Sequence, residues 1–222
     1  PIKVGCETDE IPAWGSVHEY DRMQNTETLH YIYDEDDLFT FAQAVNGTGN
    51  VGDDDYIAPN LTLNALQMDN IELTKEWEPI GTFENPYRGT YNGNGYTITG
   101  LKVSGDAYQY AGLFGRTSGA TLVNIHLVEV SVTNTYAYGS VTGALAGYAY
   151  DTTIALCSST GSGSVGTNTS DYATAGGLVG QAESTHITRS LNTCIVTATS
   201  SSNATAGGLT GITSNNNVIA AC

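Results

Sequence analysis

Lysine and arginine are scarce in this chain of 222 residues: seven stand against 23 aspartates and glutamates, and the formal net charge is −16. Such a surface lacks the basic patches that hold phosphate backbones or anionic headgroups, which argues against nucleic acid and anionic membranes as partners. The acids are unevenly spread. Residues 1–120 hold 19 acids and six bases, residues 121–222 only four and one. Cysteine is also sparse, and Cys6, Cys157, Cys194 and Cys222 show no C-x-x-C spacing of the kind that builds zinc sites. A chain this long can form a core without disulfide staples, so Cys157 and Cys222 are expected as buried free thiols. No apolar run is long enough to cross a bilayer, and no basic segment followed by an apolar one opens the chain at Pro1. Few lysines with much Asn, Thr and Gly suggest an extracellular or cell-surface setting, reached after removal of a signal peptide.

What the sequence does have is repetition. A glycine-flanked cluster recurs as Ala111-Gly112-Leu113-Phe114-Gly115, Gly143-Ala144-Leu145-Ala146-Gly147, Gly176-Gly177-Leu178-Val179-Gly180 and Gly207-Gly208-Leu209-Thr210-Gly211. The closing glycines are 32, 33 and 31 residues apart. Each cluster is followed by an aliphatic residue, two fillers and a small or apolar residue: Leu122 with Ile125, Ile154 with Cys157, Ile187 with Ser190, Ile219 with Cys222. A valine (Val132, Val165, Val196) then precedes the next cluster.

Short apolar elements bounded by Gly, Ser, Thr and Asn read as strands, and three per period predict three short strands per turn. A repeat this short cannot bury its own apolar face, whereas stacked copies bury it continuously, with parallel ladders about 4.8 Å apart. The expected fold is therefore all-β, a right-handed parallel β-helix over 61–222. Leu113, Leu145, Leu178 and Leu209 should stack in one internal column. Cys157 and Cys222 should share another, two rungs apart and too distant for a disulfide.

Residues 1–60 read differently, as an extended segment followed by a helix over about 35–46. Asp34-Glu35-Asp36-Asp37 places acids at a helix start, Leu38, Phe41, Ala42 and Val45 follow at helical spacing, and Asn46-Gly47 supplies a stop. A solenoid needs its open apolar end covered, and this helix is the expected cap. Leu61-Thr62-Leu63 and Ile71-Glu72-Leu73 alternate as strands do, Tyr91 to Tyr96 carries a turn signature, and Ile98 with Leu101 is expected to match Leu122 with Ile125 as a first rung.

The order Trp77-Glu78-Pro79-Ile80-Gly81, then Tyr87 to Leu101, then Ala111 to Gly115 resembles the GLUG-motif repeat proteins of bacterial surfaces, common in gut Bacteroidetes and present in IgA-peptidase-type exoproteins. The Asp37 to Ala42 stretch is similar to that family's N-terminal segment. The likeness runs over about 31–222, with Gly143 to Gly147 a degenerate copy. It implies a β-helical, adhesin-like role with no known ligand.

Candidate chemistry is thin. Glycoside hydrolysis needs two carboxylates facing across the scissile bond, but Glu129, Asp151, Asp171 and Glu183 fall at different points of the period. The cations Arg88, Lys102, Arg116 and Arg189 are scattered. The chain therefore reads as a non-enzyme. Asp53, Asp54 and Asp55 offer carboxylates to Ca²⁺, yet adjacent side chains point apart and EF-hand spacing is missing, so a solvated loop is expected and no cofactor is assigned. His18, His30, His126 and His186 show no metal-ligand spacing. Tyr108, Tyr110, Tyr136, Tyr138 and Tyr172 each precede a glycine cluster. Stacking should gather them along one edge, where aromatic faces suit sugar rings or protein partners. The expected function is adhesion to glycans or to host or neighbouring surface proteins. A passive stalk and a polysaccharide-degrading enzyme are the alternatives. An open C-terminal rung would further allow end-to-end or edge self-association.

Overall fold

The computed structural model describes residues 29–48 and 58–222. It is a parallel β-solenoid built as five sheets that run along its length. One full turn shows the plan: Thr121–Val123 lies in sheet 1, His126–Val128 in sheet 2, Ser131–Asn134 in sheet 3, Ser140–Gly143 in sheet 4 and Ala146–Tyr150 in sheet 5. Sheet 1 has seven strands, sheet 2 has five and the others four each. All the ladder pairs are parallel, and parallel crossovers of this kind wind right-handed.

Each complete turn between Thr90 and Ser214 holds five strands, not the three expected. The apolar pattern missed two of them for a physical reason. The strands of sheet 4 face the core through Ala111, Thr142 and Ala175, all buried but small, so they raise no hydrophobic peak. Sheets 1 and 2 are separated by two residues, such as Asn124 and Ile125, and their strands merge into one apolar element on the sequence.

The predicted columns are present. Leu113, Leu145 and Leu178 are fully buried, and their backbones are stitched rung to rung: Leu145 N–H donates to Leu178 O and Leu178 N–H to Leu209 O, each at 2.9 Å. Leu122, Ile154, Ile187 and Ile219 align in sheet 1, and Val103, Val132, Val165 and Val196 in sheet 3. Cys157 is buried, with its N–H donating to Ser190 Oγ, and both Cys157 and Cys222 are free thiols. Cys222 is exposed, contrary to the buried thiol expected. It lies on the final rung, where Ile219, aligned with the buried Ile187, is also exposed because no further strand among the described residues covers it.

Corners are turned by single left-handed residues that also stack. Gly119, Asp151, Ser184 and Asn215 hold φ from 48° to 71° after sheet 5, and Asn124, Leu156, Arg189 and Ala221 hold φ from 48° to 57° after sheet 1. Polar residues and glycine predominate there because a Cβ meets the following carbonyl in this conformation.

Ile98 and Leu101 do not match Leu122 and Ile125. Ile98 pairs with Leu127, and Tyr91 is the partner of Leu122. The first turn is longer between sheets 1 and 2, where Gly93 to Tyr96 forms a tight turn closed by Tyr96 N–H on Gly93 O, and this insertion displaced the sequence register. Leu61-Thr62-Leu63 is a turn leading into the strand Asn64–Gln67, whereas Ile71–Glu72 is a strand of sheet 2.

The helix spans Glu35–Asn46. Asp34 caps it by accepting from Asp37 N–H at 3.0 Å, and Gly47 ends it at φ 71°. Its apolar face seals the first rungs: Phe41 meets Tyr87 and Tyr91 edge-on, with ring centroids 5.9 and 5.7 Å apart. Both tyrosines are buried in the core. The helix ends are tied down as well. Glu35 accepts from the N–H groups of Thr74 (2.7 Å) and Lys75 (3.1 Å), and Asn46 bridges Pro79 O and Gly81 N–H. No helix among the described residues is long and apolar enough to cross a membrane.

Candidate functional site

The glycine clusters shape the solvent face more than the core. The closing glycines Gly115, Gly147, Gly180 and Gly211 are the second residues of the strands of sheet 5, and there the backbone presses against sheet 4. A Cβ at Gly180 would lie 2.8 Å from both N and O of Thr142, and one at Gly147 would lie 2.8 Å from Ala111 N. The role of these glycines is thus close approach rather than unusual φ. The alternation of side chains also breaks at this point. Phe114 and Thr117 both face inward, as do Ala146 with Ala149 and Val179 with Ala182. The residue immediately after each closing glycine therefore points out: Arg116, Tyr148, Gln181, Ile212.

Sheets 4 and 5 consequently meet in a groove that runs along the solenoid axis. One wall carries Tyr110, Val141, Thr174 and Thr205, which pair in register along sheet 4. The other carries the residues after the closing glycines, in register along sheet 5. A depression of about 590 Å³ occupies it, and another of about 420 Å³, lined by the Glu78 to Glu84 and Ala107 to Tyr110 segments and by Tyr136, adjoins its end and shares Gln109 and Tyr110.

All five tyrosines singled out from the sequence line these depressions. Tyr108, Tyr110 and Tyr136 belong to the first, Tyr110, Tyr138 and Tyr172 to the second. Tyr138 and Tyr172 are 80% and 58% exposed, which makes them rim residues rather than packing ones. Tyr136 and Tyr138 meet edge-on at 6.1 Å. Ser140 N–H donates to Tyr172 O, and the sheet 4 register places Tyr108, Gly139 and Tyr172 at equivalent positions on successive rungs.

Several further side chains border the depressions without standing out in the sequence. Phe83 projects from the turn after Gly81, is 57% exposed, and stacks on Tyr110 with centroids 6.5 Å apart and planes at 14°. Tyr148 leans on Tyr110 at 5.7 Å. The Arg116 guanidinium sits 4.8 Å from the Phe83 centroid and 5.3 Å from that of Tyr148, and donates to Phe83 O at 2.8 Å. The signal that could have found Arg116, Tyr148 and Gln181 is their fixed place, directly after the closing glycine.

Charge is confined to one end. Glu78 and Glu84 line the first depression, and the second has neither acid nor base among its lining residues. Burial and the nearby negative charge of Glu78 hold the Tyr108 phenol proton more tightly than usual. Burial raises Tyr110 too, with the Arg116 charge working against it. Tyr148 is raised by burial and by its hydrogen bond to the Glu183 carboxylate. Among the described residues no group of three or more His, Cys, Asp or Glu side chains is placed to hold a metal. Asp53, Asp54 and Asp55 lie outside the described residues.

No protein-family model matches the chain. Over 144 residues it is 29% identical to halomucin of Haloquadratum walsbyi, a match that takes in 60% of this chain and 2% of that protein. Over 39 residues it is 51% identical to a candidate Gly-rich membrane protein of Evansella cellulosilytica, covering 18% of this chain and 4% of that one. The chain thus spans a small fraction of either relative. Among solved structures, a candidate immunoglobulin A1 protease from Bacteroides ovatus superimposes with a TM-score of 0.50 at 15% identity, over 85% of this chain and 63% of the other. At that identity the likeness shows a shared solenoid fold.

Proposed function

We propose that this chain is a non-catalytic binding module of a larger surface protein, and that it takes an extended glycan along the groove between sheets 4 and 5. The observation that carries this reading is that five tyrosines from three successive turns line two adjoining depressions. Flat aromatic faces stack on sugar rings, and the interspersed Gln109, Gln181, Asn203 and Thr205 offer hydrogen bonds to hydroxyls. Tyr108 and Tyr172 stand two ladder steps apart, about 9.6 Å, with Gly139 leaving room between them. Such a spacing suits a polymer that presents equivalent faces at every second unit.

The surface setting is supported by two matches, to halomucin and to a protein named for a membrane, each a small stretch of a much longer chain. The motif order that resembles GLUG repeats favours the same placement. The second depression is lined by rings, amides, hydroxyls and aliphatic groups, a lining that suits sugar rings and hydroxyls.

A glycan array run with the natural protein and with a Tyr138→Ala/Tyr172→Ala variant tests the reading. Both side chains are well exposed, so the variant should fold, and signal should be lost from the glycans that the natural protein retains. Retention of no glycan at all would favour a passive stalk. Release of reducing ends from a retained glycan would overturn the non-catalytic part of the proposal.

A further inference from the structure

We infer that the first depression is a cage for an organic ammonium group, and that the unit it selects is an amino sugar within the bound glycan. The inference deepens the glycan reading and rests on it for the source of the cation. Phe83, Tyr108, Tyr110 and Tyr136 supply four rings to a space of about 420 Å³, and the faces of such rings attract cations through their quadrupoles. Glu78 and Glu84 add two carboxylates to the same lining. Neither is consumed by an ion pair among the described residues, where Lys75 serves Glu35 and Asp36 and Lys102 serves Glu76. Burial and, after it, the Glu78 charge raise the Tyr108 phenol.

The surface already holds one cation in this manner. The Arg116 guanidinium lies over the Phe83 and Tyr148 rings and is pinned to Phe83 O. It is not part of the depression's lining. Its charge opposes a second cation nearby, and the two glutamates outnumber it. The adjoining depression carries no carboxylate, so the groove is graded, with a cation-accepting end beside Phe83 and a neutral stretch beyond Tyr110. A polymer with a free amine on the unit at Phe83 is thereby distinguished from its acetylated form.

Calorimetric titration with a glucosamine hexamer and an N-acetylglucosamine hexamer, at a pH that keeps the amines charged, tests this. The amine form should bind about tenfold more tightly, a preference of the size that a partly desolvated cation–aromatic contact supplies. A Glu78→Gln/Glu84→Gln variant, shown by its urea midpoint to be folded, should lower the ratio to about threefold, the share left to the rings. The chain carries a net charge of −16, so a Glu72→Gln/Glu129→Gln variant, neutralised away from the groove, must keep the preference. Equal affinity of the two hexamers, or a preference undiminished in Glu78→Gln/Glu84→Gln, overturns the cage while leaving the glycan reading intact. If neither hexamer binds but tetramethylammonium shifts the ring signals of Tyr108 and Tyr136, the cage stands and the glycan reading falls. If tetramethylammonium shifts nothing either, both fall.

Discussion

Replacing Gly180 by alanine should unlock the joint between sheets 4 and 5. The new methyl would sit 2.6 Å from Gly147 O and 2.8 Å from both N and O of Thr142. All three are backbone atoms of neighbouring strands, so no side chain can rotate away and the sheets themselves must part. Overpacking typically costs about 1–3 kcal/mol, and contacts made wholly with backbone place this case at the upper end. Restricting the unfolded chain returns about 0.4–1 kcal/mol, leaving a net loss of about 2 kcal/mol. Gly208 provides the control, because nothing lies within 4 Å of a Cβ there, and Gly208→Ala should be neutral or slightly stabilising. Urea denaturation followed by circular dichroism gives the midpoints. Hydrogen exchange across Ala146–Tyr150 and Val179–Glu183 locates the damage, since a stack of rungs opens locally rather than all at once. If Gly180→Ala melts like Gly208→Ala, glycine is not required for close approach and the groove has another origin.

Three further outcomes are expected. Burial pushes the Cys157 thiol up to about 12, so maleimide near neutral pH should modify exposed Cys222 and spare Cys157 until the protein unfolds, as read by peptide mapping. Burial alone would raise Glu35, but the donors of Thr74 and Lys75 and the charge of Lys75 outweigh it and hold the carboxyl below its usual range. A depressed carboxyl stabilises the fold above the ordinary glutamate value of about 4.3 and ceases to do so as pH falls through its folded value. Docking of the helix should therefore weaken in acid, and Glu35→Gln should remove that pH dependence and cost about 1 kcal/mol at neutral pH. Leu156 occupies a left-handed corner at φ 57° with 40% of its surface exposed. Leu156→Asn, matching Asn124 in the same column, should raise stability by about 0.5–1 kcal/mol in a urea titration, and an unchanged or lower midpoint would contradict the strain argument.

Periodicity was legible in the sequence wherever a large apolar side chain recurred. The leucine column, the valine column and the helix with Asp34 and Gly47 as caps could all be read, because each rests on residue types with one strong reason to be where they are. The division into five strands could not, since Ala111, Thr142 and Ala175 fill the core beside the glycine corner without standing out. Ile98 was set against the wrong partner because an insertion at Gly93 to Tyr96 leaves no trace in apolar spacing. On the groove, the tyrosines before each cluster were visible, whereas Arg116, Tyr148 and Gln181 were hidden by the break in alternation at the closing glycine. Phe83 was hidden too, because only folding carries the turn after Gly81 to the mouth of the groove.

The proposed occupant of the long groove is an extended polymer, and the dependence of affinity on oligosaccharide length tests that most directly. Titrations with a graded series of oligomers of the best glycan should show affinity rising with each added unit until the stretch from Phe83 to Ile212 is occupied, then levelling. An affinity already complete with one or two units, or absent at every length, would contradict it.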